Sequence, residues 1–190
     1  GESDRSHNIV IAELAKMYVG SRVKHVVDMG CGMARVSEYF RALSISSDCD
    51  DEIPPHNFTF TNYDHMAFNA VTVGADTPPG VYPHIQVCNI ASVPLARGSA
   101  DICILSLAMW GSNCHTYISE AHRILDSGGR LIMVDTTKRW STTSDVIGEE
   151  GWIAPGMEGA KMHTLLETFG FVVLRQNVMC KFCVFVCVKE

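Results

Sequence analysis

A short apolar run, Val23-Lys24-His25-Val26-Val27, ends in Asp28 and passes at once into Met29-Gly30-Cys31-Gly32. Met33 to Leu43 then has the composition of a helix. A strand that stops at Asp-x-Gly-x-Gly and turns into a helix commits the chain to a βα unit. It also makes a floor for a small ligand. The glycines let ligand atoms approach the backbone where a Cβ would block them. The helix N-terminus leaves N–H groups free, and Asp28 offers an acceptor. Such a turn also occurs where nothing binds, and the motif alone leaves that reading open. A dinucleotide pyrophosphate is not expected, because Met33, Ala34 and Arg35 follow Gly32 and the third glycine of G-x-G-x-x-G is missing.

The rest of the chain repeats the same alternation. Asn8 to Tyr18 places Val10, Leu14, Met17 and Tyr18 on one helical stripe ahead of the first strand. Ser44 to Asn57, with Pro54-Pro55, reads as a loop, and Phe58 to Tyr63 as a second strand ending at Asp64. Met66 to Pro83 carries Gly74, Pro78-Pro79-Gly80 and Pro83, so an irregular excursion is expected. His84 to Cys88 is a short third strand ending at Asn89-Ile90, and Asp101 to Ser106 a fourth, apolar enough to be buried on both faces. His115 to Leu125 is a helix with Ile118, Ala121 and Leu125 inward, closed by Gly128-Gly129. Arg130 to Thr136 is the fifth strand, Trp140 to Gly156 a Ser/Thr/Gly-rich loop, and Met157 to Phe169 a last helix ended by Gly170. Two strands, Phe171 to Arg175 and Cys180 to Lys189, flank a turn at Gln176-Asn177. Strands alternating with helices mean an α/β fold: a mostly parallel sheet with helices on both faces and an antiparallel C-terminal strand pair.

In open sheets of this kind ligands rest at the carboxyl ends of the strands. That rule gathers Asp28, Gly30, Asp64, Asn89 and Ser106 onto one rim. Asp28, with the backbone at Gly30 and Gly32, can hold a charged amino-acid end. Asp64 suits ribose hydroxyls, since a carboxylate accepts two hydrogen bonds at once. Asn89 and Ile90 give a polar edge and an apolar wall for adenine, and Ser106 to Ala108 lie beneath the reacting centre. A cationic, phosphate-free nucleoside fits this set, and S-adenosyl-L-methionine is the leading one. Acids at strand ends are also common as plain solvated turn residues; three in this order behind a Gly-x-Gly turn favour the ligand.

Composition bounds the rest. A chain of 190 residues, 47% hydrophobic and 19% charged, can bury one real core and is too short for two. The apolar run Ile102 to Leu107 is strand-sized, far below a membrane span, so no membrane partner is expected. Eight cysteines without a small-scaffold spacing point to a reducing, intracellular setting. A net charge of −6 is not that of a free-standing nucleic-acid binder. Either the substrate is no polyanion, or the basic binding region lies outside these residues.

The sequence resembles a known family. Asp28 to Arg35 looks like the first motif of class I S-adenosylmethionine-dependent methyltransferases. Within them, Val87 to Leu95, Ser106 to Asn113 and Glu120 to Leu125 look like the ribosomal RNA-processing protein 8 (nucleomethylin) family, and Asp135 to Trp140 extends the match. The resemblance implies a Rossmann-like seven-stranded methyltransferase that modifies an adenine in large-subunit ribosomal RNA, giving 1-methyladenosine, with S-adenosyl-L-homocysteine as the other product. Carried over by position, it places cofactor contacts at Gly30, Asp64, Asn89, Ile90 and Ser106. The family usually has aspartate where this chain has Asn89; an amide oxygen can still accept from the adenine amino group. The resemblance further implies a pre-rRNA partner held through regions outside these residues, a nuclear or nucleolar location, and a role in ribosome biogenesis. Residues 1–190 are expected to form a single methyltransferase domain lacking an N-terminal extension.

Methyl transfer from a sulfonium asks for no nucleophilic side chain, and none is evident. No Pro-Cys dipeptide is present for pyrimidine carbon-5 methylation, and no Asn/Asp-Pro-Pro-aromatic motif follows the fourth strand. Trp110 and Trp140 are candidates for stacking an extruded base, Arg139 for a phosphate, and Asn113 for a substrate-side contact. Each Trp is more often a core or lid residue. Cys180-x-x-Cys183 is no metal site if it lies in a strand, where odd spacing puts the thiols on opposite faces. His115 and His122 read as surface residues, and Glu149-Glu150 and Asp48 to Glu52 as solvated turns; no metal is expected. Two other readings stay open: a small-molecule methyltransferase, and a non-catalytic binding or scaffold module.

Overall fold

The computed structural model describes residues 5–17, 22–46, 57–67, 84–137 and 160–190. The expected loops at 68–83 and 140–156, Asp48 to Glu52, Arg139 and Trp140 lie outside the described residues. In chain order the elements are α1 (Ser6–Met17), β1 (Lys24–Met29), α2 (Arg35–Ser46), β2 (Phe58–Asp64), β3 (Ile85–Val87), β4 (Ala100–Ser106), α3 (Cys114–Ile124), β5 (Leu125–Thr136), α4 (Ala160–Thr168), β6 (Phe171–Val178) and β7 (Phe182–Lys189).

Among the described residues seven strands form one sheet in the order β3-β2-β1-β4-β5-β7-β6. The first five run parallel, and β7 pairs antiparallel with both β5 and β6. From β1 the chain builds outward through β2 and β3, then crosses back to place β4 on the other side of β1. The strand order therefore reverses between β1 and β4, and a crevice opens above their carboxyl ends.

Alternation along each central strand splits the apolar residues between two cores. Val26, Ile102, Ile104, Ile132 and Val134 face α1 and α2, where they meet Val10, Leu14, Val36 and Phe40. Val27, Met29, Cys103, Leu105, Leu131 and Met133 face the other way, against Ile118 and Ala121 of α3 and Met162 and Leu166 of α4. No helix among the described residues is long and apolar enough to cross a membrane.

Four local expectations change. Helix α2 runs on to Ser46, so Ser44 to Ser46 belong to it and not to the following loop. Helix α3 is not closed by Gly128-Gly129: Leu125 already has an extended backbone (φ −66°, ψ 139°) and begins β5. The two glycines instead make a bend inside that strand. Gly128 has φ +75°, and a Cβ on Gly129 would lie 2.8 Å from the Asp126 carbonyl oxygen. The β6–β7 turn falls at Met179–Lys181 and not at Gln176-Asn177, which pair with Phe185 and Val184. Cys180 thus sits in the turn, exposed, while Cys183 is buried. Among the described residues no three His, Cys, Asp or Glu side chains gather as metal ligands. Finally, His122 is half-buried, its ring edge-to-face with Phe171 at 5.2 Å; His115 is exposed.

Candidate functional site

The crevice above β1, β2, β3 and β4 is a cavity of about 850 Å³, large enough to hold a nucleoside joined to an amino acid. Asp28, Gly30, Gly32, Asp64, Asn89, Ile90 and Ser106 all line it. Each arrives there because the last residues of a parallel strand and the first ones past its end stand at the sheet's carboxyl edge.

The glycine turn is sewn to β2. The N–H groups of Gly30 and Cys31 both donate to the Tyr63 carbonyl, at 2.8 and 3.0 Å, and the Gly32 N–H donates to Asp64 Oδ2 at 2.7 Å. The two glycines do different work. Gly30 (φ +81°) sits where a Cβ would come 2.9 Å from the Ala108 Cβ, so its bareness lets the β1 turn press against the β4 turn. Gly32 (φ +55°) has nothing within 4 Å of its missing Cβ: the space there belongs to the cavity.

Asp28 is the unusual group. It is 3% exposed, and its Oδ1 has no hydrogen-bond partner. Burial, and secondly the charge on Asp64, raise its carboxyl from the ordinary carboxylate range to about 7. An orphaned carboxylate oxygen in a cavity wall costs stability until a donor arrives. Asp64 is also buried, but satisfied: besides Gly32 N–H on Oδ2, its Oδ1 accepts from the His65 N–H at 2.7 Å and faces His65 Nδ1 at 2.7 Å. Of the two oxygens, Oδ2 keeps the more open acceptor direction. Asn89 is exposed, and its Oδ1 accepts from the Ala91 N–H at 3.0 Å, an Asx turn at the tip of β3.

The cavity is also lined by Ser6 and His7, at the N-terminus of α1, which the sequence did not single out, and by Arg35 of the glycine-turn motif, at the start of α2. Burial, then the charges of Arg5 and Arg35, hold His7 below its usual range. The cavity lining therefore combines the carboxylates of Asp28 and Asp64 with the Arg35 cation and the N-terminus of α1, a match for a zwitterion. No local motif marks Ser6 and His7: the helical stripe predicts the buried side of α1, not what its end touches.

The mouth is built by the segment after β4. Leu107 takes a left-handed conformation (φ +54°), with its N–H bonded to the Val134 carbonyl at 2.8 Å. A branched residue held there is strained by about 1–2 kcal/mol. Trp110 follows, 61% exposed at the cavity edge. Asn113 does not line the cavity; its Oδ1 accepts from the hydroxyl of Tyr117, at 3.3 Å, which does.

Next to the Asn89 turn, α3 clamps the chain between Asn89 and β4. Glu120, 7% exposed, accepts the Val93 N–H at 2.7 Å and a two-pronged contact from Arg123 at 2.7 Å each. Arg123 also donates to the Leu95 and Val93 carbonyls, at 2.8 and 3.2 Å. Burial, the largest single influence, pushes the Glu120 carboxyl up, but the Arg123 hydrogen bonds, the Val93 N–H and the Arg123 charge together hold it below its ordinary range.

Known proteins are similar to this chain in sequence and in fold. The chain is 29% identical over 148 residues to the 25S rRNA (adenine(645)-N(1))-methyltransferase of Schizosaccharomyces pombe, covering 75% of this chain and 39% of that protein. It is 26% identical over 123 residues to the mouse (Mus musculus) ribosomal RNA-processing protein 8, covering 65% of this chain and 21% of that protein. The chain thus spans well under half the length of these relatives. Among solved structures, a SAM-dependent methyltransferase from Methanosarcina mazei superposes with a TM-score of 0.63 at 16% identity, covering 93% of this chain and 96% of that one. A family model described as "hypothetical methyltransferase" matches residues 75–180, more than half of the 190 residues, and the chain belongs to that family.

Proposed function

We propose that the cavity binds S-adenosyl-L-methionine and that the protein transfers its methyl group to ring nitrogen 1 of an adenine in large-subunit ribosomal RNA. One observation carries the cofactor half: a buried carboxylate oxygen without a donor, Asp28 Oδ1, in the wall of a cavity whose floor at Gly32 is kept free of side chain. The relatives named for rRNA adenine methylation support the substrate half.

Bound there, the cofactor supplies an activated methyl group on a sulfonium. The chain's residues bind and orient. Asp28 accepts from the amino-acid ammonium, while the α1 N-terminus with Ser6, and Arg35, face its carboxylate. Asp64 Oδ2 accepts from ribose, and His65, exposed beside Oδ1, is the group a second ribose hydroxyl displaces. Ile90 walls the purine. Ser106, Leu107 and Ala108 lie beneath the reacting atoms, and Trp110 and Tyr117 offer faces for an extruded base at the mouth. Adenine nitrogen 1 carries a lone pair that is unprotonated near neutral pH, so no general base is required. Alignment and exclusion of water carry the rate.

On the substrate side, Arg139 and Trp140 remain proposals made from sequence. RNA affinity belongs to segments of the longer protein, and a nucleolar site of action follows from that substrate. The net charge of −6 fits a second reading, a small-molecule methyl acceptor, equally well. Calorimetry with S-adenosylhomocysteine tests the cofactor half: no heat up to millimolar ligand defeats it. Mapping methyl marks on ribosomal RNA from cells with and without the protein tests the substrate half. A missing 1-methyladenosine is expected without it, and an unchanged adenosine profile rules the RNA reading out.

A further inference from the structure

The hydrogen bond inside the Asn89 turn decides more than the turn. A backbone N–H can only donate, so the Ala91 N–H, 3.0 Å away, fixes the amide with Oδ1 toward it. The other branch of the side chain is then Nδ2, a pure donor. A carboxylate at this position would keep the turn with one oxygen and present its second oxygen as an acceptor. The amide presents N–H in that place instead. Asn89 and Ile90 form the tip of β3 in the cavity wall, where the proposed reading seats the purine. The 6-amino group of adenine is itself a donor, and two donors facing each other leave both unpaired. A 6-oxo group, as in hypoxanthine, accepts from Nδ2.

We propose that Asn89 is a specificity-determining residue that relaxes this site's choice of purine, so that a 6-oxo purine nucleoside binds about as well as a 6-amino one. This rests on the reading of the cavity as a cofactor site. It differs from the expectation that the amide oxygen takes the adenine amino group, because the Ala91 N–H holds that oxygen toward the turn and leaves Nδ2 as the outer branch. Sites that hydrogen-bond a polar group of the ligand reject analogues lacking it far more strongly than apolar walls do; removing the acceptor removes that rejection. Ile90 treats both bases alike.

The test is calorimetric, with S-adenosylhomocysteine and S-inosylhomocysteine as probes, on the wild-type protein and on Asn89→Asp. The substitution keeps an oxygen for the Ala91 N–H, so the turn and the fold survive it. The wild type should bind the two probes within about threefold of each other, and N89D should favour the adenosyl probe by about tenfold or more. A ratio that N89D changes by less than about threefold overturns the inference alone, because Asn89 then serves only its turn. Absence of heat from both probes with both proteins overturns the cofactor reading, and this inference with it.

Discussion

Asp28 shows how one residue couples stability to binding. Its carboxyl is raised to about 7 in the folded protein and returns to the ordinary carboxylate range on unfolding. The native state therefore holds a proton that the unfolded state releases. Stability contributed by this group is full below about pH 4 and is lost as pH rises through about 7. Asp28→Asn has no such proton, so it should match the wild type at pH 4 and exceed it by pH 8, by on the order of 4 kcal/mol. Urea denaturation across that range measures the difference; equal pH slopes for the two proteins would show that Asp28 is not strained. The same variant should lose S-adenosylhomocysteine binding, trading function for stability. The glycines separate in the same manner. Gly30→Ala meets both the Ala108 Cβ and a positive φ, and should cost about 2–4 kcal/mol of stability. Gly32→Ala meets only the φ, at about 1–2 kcal/mol, but puts a methyl into the cavity and should weaken ligand binding well beyond G30A's effect on that binding per folded molecule. Thermal melts and calorimetry together distinguish the two.

At the scale of elements, the α3 clamp links packing to the cavity wall at Asn89 and Ile90. Glu120→Ala leaves the Val93 N–H and the Arg123 guanidinium without their acceptor and should cost about 3 kcal/mol. Hydrogen exchange should rise first at Val93 and in the turn from Asn89 to Leu95, ahead of the sheet; uniform loss of protection would mean that the clamp holds the whole domain and not this segment. The clamp also shows what local sequence can and cannot express. The blocks at Val87 to Leu95 and Glu120 to Leu125 are each readable as motifs, yet nothing in either says that they bond to each other. Strand interiors were readable because Val26-Val27 and Ile102 to Leu105 must be apolar on both faces. The ends were not. Gly128-Gly129 resembles a helix stop, but Leu125 leaves the helix first because its extended backbone lets it pair with Ala100 of β4. The turn after β6 moved three residues because pairing with β7 outweighs the turn propensity of Gln176-Asn177.

For the whole molecule, the cavity ties α1, α2 and four strand ends together, so a ligand there should stabilise all of it. S-adenosylhomocysteine at a hundredfold over its dissociation constant should add about 2.7 kcal/mol, read as a higher denaturation midpoint; a bound ligand that leaves the midpoint unmoved would place its site elsewhere. With a net charge of −6, these 190 residues should bind ribosomal RNA weakly at physiological salt and with a shallow salt slope. A steep slope in a titration would reveal a basic surface that the net charge conceals. By itself, the sequence determined the α/β class, the strand interiors, the family resemblance and the rim residues Asp28, Gly30, Gly32, Asp64, Asn89, Ile90 and Ser106, because periodicity and strand-end rules are local. Only the tertiary structure decided that Asp28 Oδ1 is left without a donor, that the α1 N-terminus lines the same cavity, and which way the Asn89 amide oxygen points. Those depend on groups brought together from distant parts of the chain, and desolvation and hydrogen-bond partnership exist only once the sheet has assembled around them.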